Sequence, residues 1–384
     1  MARLKFFLAA FIICLTVLQS YAQDARQPGN NTTTVSLLTC GPGNELYSVF
    51  GHTAIRVKNI SQGFDVVFNY GTFDFDTPNF YLKFVKGDLK YFVSVSAFQD
   101  FLYTYQYYDR DVFEQVLNLS PVQKQYIAEE LNNSLLPENR EYTYKFIDRN
   151  CTTMVADIIN KHIDGKISLQ NSDSGKTNRT IIYENLDNKF YENLGINLIF
   201  GHRTDVPMYK LFLPKQLLEG VSNTTMPNGK ALAQPVTTIY KSTTNQEKAA
   251  WWNNFYTYAI ACLLLMVGSR YALLRNTLLA ILGLIGFFFC FVGYYSYHAE
   301  ITQNYNALLF NPLFLVLLYY SLFKKYKYAK VVGSICLLLV ILYVIIMLSK
   351  PYLLMVLPLI ALVIVVIFAS IWPKQLKTVE LYRK

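Results

Sequence analysis

Histidine is scarce in this chain, with four residues in 384. They stand at 52, 162, 202 and 298, too scattered to form the close His/Cys ligand spacing of a zinc site. Metal catalysis is therefore not expected, and no cofactor is implied. Acidic residues almost vanish after residue 250, where 2 Asp+Glu face 11 Lys+Arg. The first 250 residues carry 24 of each sign, so the formal charge of +9 belongs entirely to the later, apolar part. Basic residues at the ends of apolar segments are a topology signal, and a nucleic-acid partner is not expected. Also missing are a Gly-rich phosphate cradle, a heptad seam and a repeat of solenoid period, which removes three further classes.

What is present divides near residue 250. The start, MARLKFFLAAFIICLTVLQSYAQ, has basic Arg3 and Lys5, an apolar run from Phe6 to Leu18, and small residues around Ser20-Tyr21-Ala22. This predicts a secretory signal peptide over residues 1–22. From 251 to 384 the sequence predicts five membrane spans, at about 251–268, 277–297, 307–323, 331–348 and 353–372. Arg270 and Arg275 lie between the first two; Lys324, Lys325, Lys327 and Lys330 lie between the third and fourth; Lys374, Lys377, Arg383 and Lys384 follow the fifth. Alternate connections are thus basic, which places residues 23–250, with an exported domain over 23–220, outside the cytoplasmic membrane and the C-terminus inside. The polar stretch 221–250 reads as a linker, with a peripheral loop packed on the exported domain as the alternative.

The exported part predicts an α+β domain. VSLLT (35–39) reads as a buried strand, and TAIRVKN and DVVFNYG read as a hairpin turning at Gly63. The stretch 79–98 fits a helix or a strand pair. Ser120-Pro121 opens a helix. TTMVADIINKH after Cys151 has apolar residues at helical spacing.

Cys151 therefore falls at a helix start, directly after an extended segment. Helix N-termini lower a thiol pKa and offer N–H groups to an oxyanion. His52 begins a strand and is the candidate base. Asn69, across the hairpin near Ala54, is the candidate to orient the imidazole, with Asp74 as competitor. The same residues permit a plainer reading. Cys40 and Cys151 are the only cysteines of the mature exported domain, and in an oxidising compartment they could form a disulfide. The outward connection 298–312 brings His298, Glu300, Asn304, Asn306 and Asn311 to the membrane surface. Of these, His298, Asn304 and Asn306 are candidate substrate-binding residues.

GHTAIRV followed much later by NC and a helix resembles the permuted papain-like fold of NlpC-type peptidases and lecithin:retinol acyltransferase-like enzymes. Within that group, YSVFGHTAIRV (47–57), FNYGTFDFDTPNFYLKFVKGDLKYF (68–92), YDRDVFEQVLNLS (108–120) and YKFIDRNCTT (144–153) resemble the N-terminal periplasmic domain of the Lnb family. These are bacterial lipoprotein N-acyltransferases that couple such a domain to a five-helix membrane region. The resemblance implies Cys151 as nucleophile and His52 as base. It also implies a phospholipid acyl donor and, as acceptor, the α-amine of a diacylated lipoprotein. A membrane-tethered NlpC-type peptidase or amidase acting on the cell wall, or a non-catalytic lipid-binding protein, are the alternatives.

Overall fold

TTVSLLTC forms strand β1 (Thr33–Cys40) and HTAIRVKN forms β2 (His52–Asn59), antiparallel, with Leu37 opposite Ile55 and Cys40 opposite His52. The computed structural model describes residues 33–244 and 250–372. The expected signal peptide and the basic tail after 372 lie outside the described residues. β3 (Phe64–Thr72) completes the hairpin through a turn in which the Asn59 carboxamide oxygen accepts from the Ser61 hydroxyl and the Gln62 N–H. The ambiguous stretch after it is one short helix, α1 (Phe80–Lys86), then one strand, β4 (Lys90–Ala97). α2 (Phe98–Tyr107) and β5 (Val112–Val116) follow. α3 (Pro121–Asn133) starts as expected, with Pro at its first position and a Ser120–Gln123 capping box. α4 (Pro137–Arg140) and β6 (Glu141–Thr143) precede α5 (Cys151–His162). Three further helices, α6 (Asn178–Glu184), α7 (Phe190–Ile199) and α8 (Pro214–Ser222), lead to β7 (Thr237–Tyr240).

The strands make one antiparallel sheet in the order β6-β4-β3-β2-β1-β5-β7. Side chains alternate across it, as a period of two requires. Val35, Leu37, Ile55, Val57, Phe68 and Tyr70 pack with Val155, Ile158 and Ile159 of α5 into one core. Leu38, Cys40, Ala54 and Val67 pack with Phe98, Phe101 and Tyr105 of α2 into a second. Each fully buried aliphatic side chain contributes about 1.5–3 kcal/mol, so both faces of the sheet are held.

The stretch 221–250 is not a tether in its described part. Leu232 is fully buried, Leu117 bridges Ala233, and TTIY pairs as β7 with β5. The physical reason is that β5 would otherwise be an open edge, which a short Thr-rich strand can cover. Beyond it, Asp109 accepts from the Tyr240 hydroxyl and from the backbone N–H of Thr243 and Thr244.

The remaining helices are α9 (Phe255–Gly268), α10 (Ala272–Tyr295), α11 (Leu313–Leu322), α12 (Tyr326–Met347) and α13 (Leu353–Ile371). Among the described residues four stretches have the length and hydropathy to cross a membrane: Ala272–Tyr295, Ala299–Leu322, Tyr326–Met347 and Leu353–Ile371. Where five spans were expected, the first is a helix of 14 residues, about 21 Å long at 1.5 Å per residue and short of a ~30 Å hydrocarbon core. The stretch 299–322 is also not one helix. Only Leu313–Leu322 is α-helical, and residues 299–308 form two 3-10 turns. Irregular backbone of this kind is tolerated at depth when protein covers it. Here it is covered: the Asn306 side chain is fully buried, and the hydroxyls of Tyr343 and Tyr352 donate to its carboxamide oxygen at 2.8 and 3.3 Å.

The same segment fastens the two parts together. The Asn304 amide donates to the carbonyls of Leu198 and Ile199 at 2.9 and 2.8 Å, and the Asn306 amide donates to those of Asn197 and Leu198. Backbone bonds join Gly201 to Glu300 at 2.7 Å and His202 to Gln303 at 3.2 Å. A Cβ at Gly201 would stand 2.0 Å from the Thr302 carbonyl oxygen, so only glycine permits this approach. Nearby, buried Arg179 pairs with Asp205 at 2.5 Å, and Lys350 reaches the same carboxylate at 2.9 Å.

Candidate active site

Asn150 caps α5. Its side chain accepts from the Thr153 N–H, and the Thr153 hydroxyl accepts from the Asn150 N–H, a reciprocal box that defines the helix start. The Asn150 amide also donates to the carbonyls of Phe146 at 2.6 Å and Phe212 at 2.8 Å. Cys151 is thus the first helical residue, half-buried, with its helix end held from three sides.

β2 brings the histidine to it. The Thr53 hydroxyl lies 3.1 Å from that of Thr152, so the residues that follow His52 and Cys151 are bonded to each other. On the neighbouring strand, Gly71 has φ +92°, and a Cβ there would lie 3.6 Å from the Cys151 Cβ. β3 thus passes Cys151 at ordinary contact distance, and the left-handed backbone of Gly71 is what a residue with a side chain would strain.

His52 Nε2 lies 3.3 Å from Asn69 Oδ1. The hairpin register explains the pair: Asn69 stands opposite Ala54, on the same face as His52 two residues away. With Nε2 engaged by the amide oxygen, Nδ1 is the ring nitrogen left to act on the sulfur, and the His52 imidazole is close enough to lower the Cys151 pKa. The Asp74 alternative resolves otherwise, because its carboxylate caps an exposed turn by accepting from the Asp76 N–H. Asn69→Ala should slow alkylation and acylation of Cys151 roughly tenfold, about the worth of one orienting hydrogen bond, without lowering the melting temperature. Iodoacetamide kinetics with mass detection check this.

Electrostatics separate the two exported cysteines. Burial pushes the Cys151 thiol up, but the charge and hydrogen bond of His52, the Thr53 N–H and the Thr152 hydroxyl outweigh it, and the thiol ionises below its usual range. For Cys40 burial wins over the Tyr105 hydrogen bond and the Arg110 charge, and its thiol is pushed up to about 12. Both are free cysteines and belong to different cores, Cys40 under α2 and Cys151 against the α5 side. This arrangement can carry nucleophilic chemistry: a thiolate, an adjacent base and a group that fixes the base's tautomer.

The residues expected to complete the site from the membrane side are placed differently. His298 is half-buried, with Nε2 2.7 Å from the Phe84 carbonyl at the end of α1. Asn304 and Asn306 turn inward and hold the backbone of α7. The residue of that connection which reaches toward Cys151 is Glu300. It is buried, and its Oε1 accepts from the Ile147 N–H at 3.0 Å, four residues before the cysteine. No periodicity marks Glu300. The available signal is that it is the one acid between residues 251 and 379.

The fold and site define a sheet-based domain with a Cys–His–Asn constellation, fastened to apolar helices that have membrane-spanning length. Residues 21–188 match the family model of the Lnb N-terminal periplasmic domain, and apolar helices follow it. Over those residues the chain is similar to that family, and it is a membrane protein with a periplasmic N-terminal domain. No curated protein and no solved structure matches the chain.

Proposed function

We propose that this protein is a lipoprotein N-acyltransferase of the cytoplasmic membrane, with a Cys151 thioester as its intermediate. The observation that carries the reading is the Cys151 thiol at a helix start beside a His52 oriented by Asn69, in a domain held against membrane-capable helices. The Cys151 thiolate attacks an ester carbonyl of a phospholipid. N–H groups of the first turn of α5 that lack intrahelical acceptors stabilise the oxyanion. The intermediate collapses as the C–O bond breaks, and the imidazolium of His52 protonates the departing lysophospholipid alkoxide. The α-amine of a diacylglyceryl-cysteine lipoprotein then attacks the thioester. His52 accepts the amine's proton, the C–S bond breaks, and the thiolate returns. An amide is formed from an ester, and the thioester supplies the activated acyl group the amine needs.

Hairpin first and cysteine helix last is also the order a permuted papain-like domain would have. Mass spectrometry of lipoprotein N-termini tests the function. Cells lacking the protein should accumulate diacylated lipoproteins with free α-amines, and cleavage of muropeptides by the purified protein would instead favour the peptidase reading.

The charge alternation makes the topology part of the same proposal. Tyr297→Cys and Lys327→Cys, in a background with the other reactive thiols removed, should label oppositely with a membrane-impermeant maleimide on spheroplasts. Position 297 should react, and position 327 should react only after lysis. Labelling of 327 in intact spheroplasts would reverse the orientation.

A further inference from the structure

We propose that α1, with the aromatic residues before it, is an interfacial element that sits in the outer leaflet and guides a phospholipid acyl chain to Cys151. The cysteine end of this track rests on the acyltransferase reading; the seating of α1 in lipid does not.

The sequence of α1 is FYLKFVK, and none of its residues is buried. Tyr81 and Leu82 are 77% and 69% exposed, and Phe84 and Val85 are exposed beside them. Four exposed apolar side chains in seven residues form an apolar face of the kind that marks an interaction site, while Phe80 packs partly against the core. The position of the helix says what covers it. The Tyr297 N–H donates to the Lys86 carbonyl at 2.7 Å, the Ser296 hydroxyl donates to that of Val85 at 2.8 Å, and the His298 ring meets that of Phe84. Gly87 ends α1 at φ +71°, where a Cβ would stand 3.1 Å from the His298 backbone nitrogen. α1 is therefore pinned to the end of α10, a helix of membrane-spanning length whose Phe291, Tyr294 and Tyr295 are exposed. The bare face of α1 continues the lipid-facing surface of α10 at the depth where aromatic belts form. Lys86, which pairs with Asp88, also lies over the rings of Tyr295 and Tyr297, placing a cation at headgroup level.

A line of rings runs from this edge toward the thiol. Phe84 stacks on Phe80 at 6.3 Å; Phe80 lies 5.0 Å from Phe75 and 5.9 Å from Phe73. Tyr47 flanks Phe73 at 5.7 Å. Phe73 is two residues beyond Gly71, the residue that passes the Cys151 Cβ. An acyl chain is the ligand such a track fits, because it is apolar along its length and carries its one reactive carbonyl at the headgroup end.

The test uses the full chain in phosphatidylethanolamine–phosphatidylglycerol vesicles containing a phospholipid with a diazirine on one acyl chain. After irradiation, crosslinks should map to residues 80–86 in the wild type and equally in Cys151→Ala. Tyr81→Asp/Leu82→Asp should cut acylation of Cys151 from vesicles at least tenfold, while iodoacetamide alkylation of Cys151 and acylation by a water-soluble short-chain thioester stay at wild-type rates. Crosslinks confined to residues 255–372, or vesicle acylation of the double variant at the wild-type rate, overturn the proposal. If the wild type is acylated by no donor while crosslinks still fall on 80–86, it is the acyltransferase reading that fails and the lipid seating that stands.

Discussion

Incubated with phospholipid vesicles and no acceptor, the wild-type protein should gain the mass of one acyl chain on the peptide that contains Cys151. Neutral hydroxylamine should release it, because the linkage is a thioester. Cys151→Ala should abolish the adduct, and Cys151→Ser should nearly do so, since an alcohol does not ionise as a thiol does. His52→Ala should slow adduct formation by roughly 10²–10⁴-fold, the range for a positioned acid–base group. The pH profile gives a second readout. Burial alone would raise the Cys151 pKa, and His52 leads the interactions that lower it. The wild-type alkylation rate should therefore rise with pH at lower values than for an ordinary cysteine, whose pKa is about 8.5. In His52→Ala the rise should move to higher pH, because burial then acts with less opposition. Cys40→Ala should leave adduct and profile unchanged, as its thiol is up at about 12 and in the other core. If Cys40→Ala and Cys151→Ala behave alike, and both only weaken the fold, the nucleophile assignment is wrong.

Arg179→Leu should lower stability by about 3–5 kcal/mol, the cost of leaving a buried ion-pair partner alone. Arg179 is almost fully buried and donates to Asp205, to the carbonyl of Asn197 at 3.1 Å, and to those of Phe200 and Gly201 at 2.9 and 2.7 Å. Those three carbonyls belong to the segment that receives Asn304, Asn306 and Glu300 from the membrane side. The variant should therefore melt earlier and also expose the 197–203 segment to protease in membranes. Arg179→Lys should recover little, because one ammonium cannot span four acceptors arranged around a planar fork. A melting temperature within a degree of wild type would show that Lys350, which also reaches Asp205, carries the junction.

Much of the exported domain was legible because its signals are local. The alternation in TAIRVKN and DVVFNYG produced β2 and β3, and hairpin register alone placed Asn69 beside His52. The capping pattern at Ser120-Pro121 and the apolar spacing after Cys151 marked two helix starts. What stayed hidden depends on partners far away in sequence. β7 is a strand because β5 offers an edge, not because PVTTIY has a strong pattern of its own. Asn304 and Asn306 read as polar groups at a membrane surface, and only the position of α7 shows that they serve its carbonyls. The 3-10 turns at 299–308 look like the approach to a span, because hydropathy does not register whether backbone is helical.

The hydrogen bond from Ile147 to Glu300 sets a height. The Glu300 carboxylate holds the Ile147 N–H, the carbonyl of neighbouring Phe146 accepts from Asn150, and Asn150 fixes the helix end that carries the sulfur. Three short polar contacts thus relate Cys151 to the helices that sit in the bilayer, while the length of chain joining the two halves has no part in the relation. On the acyltransferase reading, the distance of Cys151 from the lipid ester plane is built in, like the fixed reach of a tool in its holder. A membrane of different thickness would be met by tilt of the whole molecule, not by movement of the thiol relative to its own helices.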